Sequence, residues 1–222
     1  MSYTVGEIIT DKVRLILRDM DGGGIQWKDA ELITWFNEAC AEVSRVRPEA
    51  TSNTSDVALI AGAKQGIPTG NSRLLEGICN IIAGEEGRII RRVSRATMDS
   101  EDPNWMAGTG STTVLRYMPS LTDPRTFYVY PPALVGAEIR IVSSGPPTKV
   151  TALEDAYPLP DMYTAVVTNY ILFRAFSKLS EEPYFRQKSD DFYGMYKSQI
   201  ADSLASMEQN NAGTRDTPVG AK

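Results

Sequence analysis

Histidine is absent from the 222-residue chain. Its absence excludes Ser-His-Asp and Cys-His catalysis, removes the usual ligand of the commonest zinc sites, and leaves no side chain that titrates near neutral pH at its ordinary pKa. Cysteine is scarce as well. Cys40 and Cys79 each lie among apolar residues and lack CxxC spacing, which predicts buried free thiols rather than a disulfide or a metal site. Many classes of enzyme are therefore excluded, and we assign no catalytic, cofactor-binding or metal-binding residue and expect no cofactor.

Long apolar runs and a basic charge balance are also missing. No run approaches the roughly 20 apolar residues of a membrane span, and the N-terminus has no basic segment followed by an apolar one, so we expect a protein that is neither secreted nor membrane-bound. The net charge of −5 disfavours a protein that wraps nucleic acid. A local basic group is formed by Arg88, Arg91, Arg92 and Arg95. We expect these arginines to lie on a solvated strand edge, with a nucleic-acid contact as the alternative.

Hydrophobic periodicity predicts two helices at the N-terminus. Thr4 and Glu7 form a capping box at the start of the first helix, and the "DGGG" sequence of residues 21–24 ends it. The second helix ends near Arg47, because Pro48 disfavours helical geometry in the residue before it. The apolar stripe of the first helix comprises Val5, Ile8, Ile9, Val13, Ile16, Leu17 and Met20, and that of the second comprises Leu32, Trp35, Phe36, Ala39, Cys40, Val43 and Val46. Joined by a short turn, the two helices should form an antiparallel hairpin.

The middle of the chain has the alternation of short strands. A hairpin is predicted over residues 57–68, and further strands over 87–93, 112–118, 126–131 and 137–143. Residues 97–111 are expected to form a long loop held by Trp105. This region is therefore a mostly antiparallel β unit.

Helical spacing returns near the C-terminus. A third helix runs from about Tyr163 to about Ser180, and a fourth begins at Pro183, where the missing N–H costs nothing. These helices carry more aromatic residues than one seam requires, so Phe173 and Tyr193 are candidates for burial against another subunit, with packing inside the bundle as the alternative. The last segment, residues 209–222, has no periodicity and is expected to be disordered in isolation.

The predicted fold class is α+β. Two N-terminal and two C-terminal helices form one antiparallel four-helix bundle, with an inserted, mostly antiparallel β lobe and a flexible C-terminal tail. The predicted divisions are residues 1–53 for the helical hairpin, 54–150 for the β lobe, 151–208 for the helix pair that completes the bundle, and 209–222 for the arm.

Glycine and acidic clusters provide no recognisable ligand motif. The sequences "GAKQG" and "GGG" fit neither GxxxxGK[ST] nor GxGxxG and are interpreted as turns. The carboxylates of Asp99, Glu101 and Asp102 could bind a hard cation but lack the register of a calcium loop, so a solvated loop is favoured.

The order of several motifs resembles the head-to-tail adaptor, or connector, proteins of tailed bacteriophages. The N-terminal part of the resemblance is Trp27, "DAEL" (29–32), "WFNEA" (35–39) and "RP" (47–48). The later part is "GAKQGIP" (62–68), "VYPP" (129–132), "NYILFRAFSK" (169–178) and "FYGMYKSQI" (192–200). The likeness extends from about residue 4 to about residue 207. The residues that carry the family pattern and the bundle core are Trp27, Leu32, Trp35, Phe36, Ala39, Pro48, Tyr170, Arg174, Phe192 and Tyr196.

The resemblance implies a structural virion protein, rather than an enzyme, that forms a ring, typically of twelve copies. Such a ring docks under the portal protein in the neck of the virion, meets a tail or nozzle protein, and lets DNA pass without specific binding; assembly takes place in the host cytoplasm. The resemblance also implies that the C-terminal arm reaches the portal, through candidate residues Asn210, Asn211, Arg215, Asp216, Pro218 and Lys222. Two alternatives remain: another neck component, such as a stopper or tail-completion protein, and a monomeric helical domain with a β insertion that binds a small ligand or performs chemistry that needs no histidine.

Overall fold

The computed structural model describes residues 3–20 and 24–212, with residues 202–212 described by their backbone alone. The chain divides into two compact units. The helical unit comprises Met1–Val46 and Thr148–Lys222, and the β unit comprises Arg47–Pro147. The described structure is an α+β fold with five helices and two largely antiparallel sheets, as the α+β prediction requires.

Helix α1 is built from three consecutive segments: α-helical Val5–Ile8, π-helical Ile9–Arg14 and α-helical Leu15–Leu17. The predicted capping box is present, since the Thr4 Oγ1 accepts from the Glu7 N–H at 3.2 Å and the Glu7 carboxylate accepts from the Thr4 N–H at 2.7 Å. The predicted stripe is wrong at its end, because Ile16 and Met20 are exposed. The π-helical turn shifts the residues that follow around the axis, and Arg18, with a left-handed φ of 56°, ends the helix before Met20.

Helix α2, Asp29–Val46, confirms the predicted second helix. Asp29 and Glu31 occupy its first turn, where the helix dipole favours negative charge. Its buried face consists of Leu32, Trp35, Phe36, Ala39, Cys40 and Val43. The chain leaves the helix at Arg47 and enters a 3₁₀ turn, Pro48–Thr51.

Helices α4, Thr164–Ser177, and α5, Pro183–Ala212, follow one another in the C-terminal part of the helical unit. They are antiparallel, because Asn169 bonds to Gln199 at 2.9 Å while Ser177 bonds to Ser189 at 2.7 Å. Helix α4 is central, since α1, α2 and α5 all pack against it. Helix α5 begins at the predicted proline but continues through residues 209–212, which were predicted to belong to the arm.

The β unit contains eight strands in two four-stranded sheets, ordered β1-β8-β3-β4 and β2-β7-β6-β5. All pairs are antiparallel except β5 with β6. The strands are β1 Ser52–Ala58, β2 Gly62–Gly66, β3 Arg73–Ile82, β4 Glu85–Ile89, β5 Arg91–Arg92, β6 Arg116–Pro119, β7 Thr126–Ala133 and β8 Glu138–Ser144. The core of this unit is formed by residues of β3, β6, β7 and β8 and of the connecting segments, with Phe127, Val129 and Ile141 fully buried.

The predicted hairpin over residues 57–68 is wrong, because β1 and β2 belong to different sheets. Buried Gln65 explains the separation. Its side chain accepts from the Ile60 N–H at 3.0 Å and donates to the carbonyls of Ile60 and Gly62, each at 2.8 Å. These bonds take the place of a hairpin ladder and direct β2 into the second sheet.

Residues 97–111, predicted to form a loop, contain much of helix α3, Arg95–Glu101, and the 3₁₀ turn Trp105–Ala107. Ser94 caps α3 by accepting from the Thr97 N–H at 3.1 Å. Trp105 is almost fully buried, as the prediction of an anchoring side chain requires. Within the described ranges, no helix combines the length and the apolarity that a membrane span needs.

Candidate docking surfaces

The seam between α4 and α5 is lined by aromatic rings. Phe176 stacks against Phe185 and Phe192, with ring centroids 6.1 and 5.6 Å apart, respectively. Further along, Tyr170 meets Tyr196 edge-on at 5.2 Å. The aromatic surplus of these helices is therefore used largely within the hairpin.

Phe173 and Tyr193 were candidates for a contact with another subunit. Their rings lie 4.8 Å apart and pack against each other, although Tyr193 remains exposed. Tyr184, at the start of α5, is more exposed still. These two tyrosines are the aromatic surface that α5 leaves open to a partner.

The groove between α2 and α4 carries ion pairs. Arg174 lies 3.3 Å from the Glu38 carboxylate, and the Lys178 ammonium lies 2.8 Å from that of Glu31. Burial raises the pKa of the Tyr196 hydroxyl to about 12, and the nearby Glu42 carboxylate adds to the shift. The ion pairs orient α4 on α2.

The loop between α1 and α2 is organised by two buried charges that the sequence analysis missed. The Asp19 carboxylate accepts from the N–H groups of Ile25, Gln26 and Trp27 at 2.8–3.2 Å. Burial opposes ionisation of Asp19, but these three bonds and the guanidinium of Arg14 together lower its pKa. An arginine on an otherwise apolar helix face is the signal that could have indicated this network.

Arg14 extends the network to α2. Its guanidinium donates to the carbonyls of Asp19 and Trp27 at 3.0 and 3.1 Å and pairs with the Asp29 carboxylate. The Trp27 indole N–H in turn donates to the Ala175 carbonyl of α4 at 3.2 Å. Trp27, the first residue of the family pattern, thus connects this loop to the central helix.

The other predicted pattern residues differ in burial. Trp27, Leu32, Trp35, Phe36, Ala39 and Tyr196 are buried, while Pro48, Tyr170, Arg174 and Phe192 are half-buried. Pro48 belongs to the β unit rather than to the helical unit. Of the candidate arm residues, Asn210 and Asn211 belong to the part of α5 that is described by its backbone alone. The other four, Arg215, Asp216, Pro218 and Lys222, lie outside the described residues.

The acidic group of the β unit is used in local contacts. Asp99 accepts from the Trp105 indole at 2.8 Å, Glu101 pairs with Arg116, and Asp102 accepts from the Asn104 N–H at 3.0 Å. Among the described residues, no cluster of three or more potential ligands is placed to hold a metal ion. Cys40 and Cys79 are buried free thiols, which confirms that prediction.

The basic group lies along β4, β5 and the start of α3. All four arginines are exposed, and Arg95 pairs with Asp99 at 3.6 Å. Arg88 and Arg91 border a cleft of about 450 Å³ that is also lined by Ile89, Leu115 and Arg116. We call this the arginine cleft. Charged side chains at the edge of a sheet also oppose uncontrolled strand pairing.

The model of the family described as SU10 adaptor protein matches residues 3–220. The chain belongs to this family, which confirms the resemblance to phage head-to-tail adaptor proteins. A search of the curated proteins found no match.

Proposed function

We propose that the chain is a structural protein of the phage neck whose copies form a closed ring of twelve beneath the portal. The observation that carries this proposal is the family match over residues 3–220. In this role the ring provides the platform for a tail or nozzle protein and leaves a channel for DNA, and it is assembled in the host cytoplasm. The protein acts by binding other proteins rather than by catalysis.

The helical unit offers surfaces for contacts between copies. Helix α4 already packs against α1, α2 and α5, which supports an antiparallel four-helix bundle as the ring-forming part of each subunit. Tyr184 and Tyr193 leave aromatic surface open on α5, and aromatic residues are enriched where proteins dock. The β lobe, residues 54–150, then contacts the tail protein.

The length of α5 supports a portal-binding role for the residues beyond it. Helix α5 has 30 residues and α4 has 14, so at about 1.5 Å per residue they measure roughly 45 and 21 Å. The C-terminal end of α5 therefore extends past the start of α4. We propose that residues 213–222 continue from there to the portal.

Charge supports passage of DNA without specific binding. The β unit contains ten basic and ten acidic residues, so the net charge of −5 resides in the helical unit. A ring of such subunits repels the phosphate backbone, because its acidic side chains act together over the channel. The genome can then slide through the ring without being retained.

Removal of residues 213–222 tests the portal contact. We expect the truncated chain to melt within about 2 °C of the full chain, because the last few residues of most domains contribute little stability, but to fail to co-sediment with the portal protein. The matched control carries a Gly/Ser segment of equal length in place of these residues and should behave like the truncation. Retention of portal binding by either variant contradicts the role of the arm.

The identity of the docking partner separates this proposal from a stopper or a tail-completion protein. An adaptor binds the portal directly, so the purified chain should co-sediment with portal protein alone. Binding that occurs only when another neck protein is also present supports the stopper or tail-completion alternative.

A further inference from the structure

Several turns of the β unit meet at one end. Ala58 of β1 and Ile81 of β3 both pair with Glu138 at the start of β8, and Gly62 of β2 pairs with Ala133 at the end of β7. The N–H of Leu59 donates to the carbonyl of Ala137 at 2.8 Å, which joins two of the turns. This end lies opposite the strand ends near Arg47 and Pro147, where the chain enters and leaves the unit.

Four large apolar side chains at this end are exposed to solvent. Their exposed fractions are 67% for Ile60, 56% for Ile82, 48% for Leu134 and 83% for Val135. We call these four residues the β tip. The bonds of Gln65 fix the turn that contains Ile60, so the patch is presented on ordered backbone. Exposed apolar side chains grouped at one end of an ordered unit are typical of a protein interaction site.

The β tip has an acidic rim. Glu85 pairs in register with Ile82, and Glu138 lies between Ala58 and Ile81. Among the described residues, neither carboxylate has a basic side chain within ion-pairing distance. A partner of the β tip should therefore offer an apolar surface together with unpaired basic groups.

The arginine cleft of the same unit has these properties. Ile89 is 73% exposed there, and Leu115 is half-buried beside it. In the described part of the chain, Arg88 and Arg91 have no carboxylate within ion-pairing distance. Arg116, the third guanidinium of the cleft, pairs with Glu101.

We propose that the β tip of one copy docks into the arginine cleft of the next copy. The two surfaces match in charge and in apolar content, and they are different regions of the same unit. A contact between two different surfaces is heterologous, and its repetition generates a ring when the rotation closes. The inference rests on the proposed ring and adds a lateral contact between β units to it.

DNA is the less suitable occupant of the cleft. The β unit has equal numbers of basic and acidic residues, and Glu85 and Glu86 lie on the same strand as Arg88. Affinity for a phosphate backbone depends on the number of basic groups that contact it. A second copy of the chain, by contrast, satisfies the unpaired charges of both surfaces.

Cysteine cross-linking tests the contact. The chain with Val135→Cys and Ile89→Cys is assembled with its portal protein and treated with a short bis-maleimide. We expect a ladder of covalent oligomers on a denaturing gel from this double variant and none beyond a dimer from either single variant. The native cysteines should not react, because both are buried.

Charge reversal in the cross-linking variant provides the specificity control. Arg88→Glu with Arg91→Glu, or Glu85→Arg with Glu138→Arg, should each reduce the ladder about tenfold, because like charges across an interface are strongly unfavourable. All four reversals together should restore much of it. Reversals that leave the ladder unchanged overturn the proposal.

The remaining outcomes separate this inference from the proposed function. A ring seen by imaging without a cross-linked ladder overturns the lateral contact and leaves the adaptor role intact. Absence of any ring with the portal overturns both. The chain could instead bind a short DNA duplex tightly and lose that binding, but not the cross-linking, in the variant with Arg88→Glu and Arg91→Glu. That result overturns the assignment of the cleft to a second copy.

Discussion

Replacement of Arg14 by methionine should destabilise the helical unit strongly. The Arg14 side chain is only 4% exposed, and its guanidinium donates to the carbonyls of Asp19 and Trp27. The methionine side chain would be of similar length, but it would leave these carbonyls without the side chain that donates to them and the Asp19 carboxylate without its ion-pair partner. Removal of one partner of a buried ion pair costs about 3–5 kcal/mol, and we expect a loss of this size in the free energy of unfolding.

Arg45→Met is the matched control for this experiment. Arg45 pairs with Glu42 at 2.7 Å, but its side chain is 71% exposed. Surface pairs contribute about 0–1 kcal/mol, so the control should unfold nearly like the unmodified chain. The assay is urea unfolding followed by far-ultraviolet circular dichroism, which reports mainly on the helices. Equal losses in the two variants, within about 1 kcal/mol, contradict the assignment of Arg14 as an organising residue.

Three further predictions concern other parts of the molecule. Phe176→Ala should lower the free energy of unfolding by about 3–5 kcal/mol, because Phe176 is buried between two rings. The control Tyr193→Ala, on the exposed side, should lower it by about 1 kcal/mol or less. Similar urea midpoints for the two variants would refute this prediction. The pKa of Tyr196 is raised from 10.0 to about 12, so its contribution to stability is present below pH 10 and is lost as pH rises through about 12. The melting temperature of Tyr196→Phe should therefore fall less over that pH range than the melting temperature of the unmodified chain. An equal fall in the two proteins would contradict this role of Tyr196. Trp105→Phe should destabilise the β unit by about 1–3 kcal/mol, because it loses the hydrogen bond to Asp99. Addition of millimolar Mg²⁺ or Ca²⁺ to the unmodified chain should not shift the melting temperature. Stabilisation by either ion that disappears in Asp99→Asn would instead support a metal site.

The helices were largely predictable because their signals are local. The face of α2 follows from the spacing of Leu32, Trp35, Phe36 and Ala39 along one stripe, and α5 begins at Pro183 because proline suits a first turn. The orientation of Ile16 was not predictable in the same way. A π-helical segment changes the periodicity on which the stripe depends, and nothing in the apolar spacing indicated it.

The strands were predicted less completely because their pairing is not local. Strand β3 was missed, since Gly77 and Asn80 interrupt its apolar alternation. The structure explains both residues. A Cβ at Gly77 would lie 3.1 Å from the Tyr117 ring, and the buried Asn80 side chain accepts from the Val114 N–H and donates to the Val114 carbonyl.

The docking surfaces depend even more on tertiary structure. Ile60 and Val135 lie in two separate turns and Ile82 ends β3 beside a third, and only the strand register brings them to one end of the β unit. The arginine group was visible in the sequence, but the cleft that it borders also requires Leu115 and Arg116 from a distant segment. Membership of the adaptor family, in contrast, could be inferred from the order of motifs because that order is a property of the sequence itself.

The central claim is that copies of this chain form a ring beneath the portal. The most direct measurement is a cryo-electron microscopy reconstruction, without imposed symmetry, of the full chain assembled with its portal protein. The account predicts a closed ring of twelve copies under the portal. A complex that contains a single bound copy, or a portal to which no copy is attached, would contradict it.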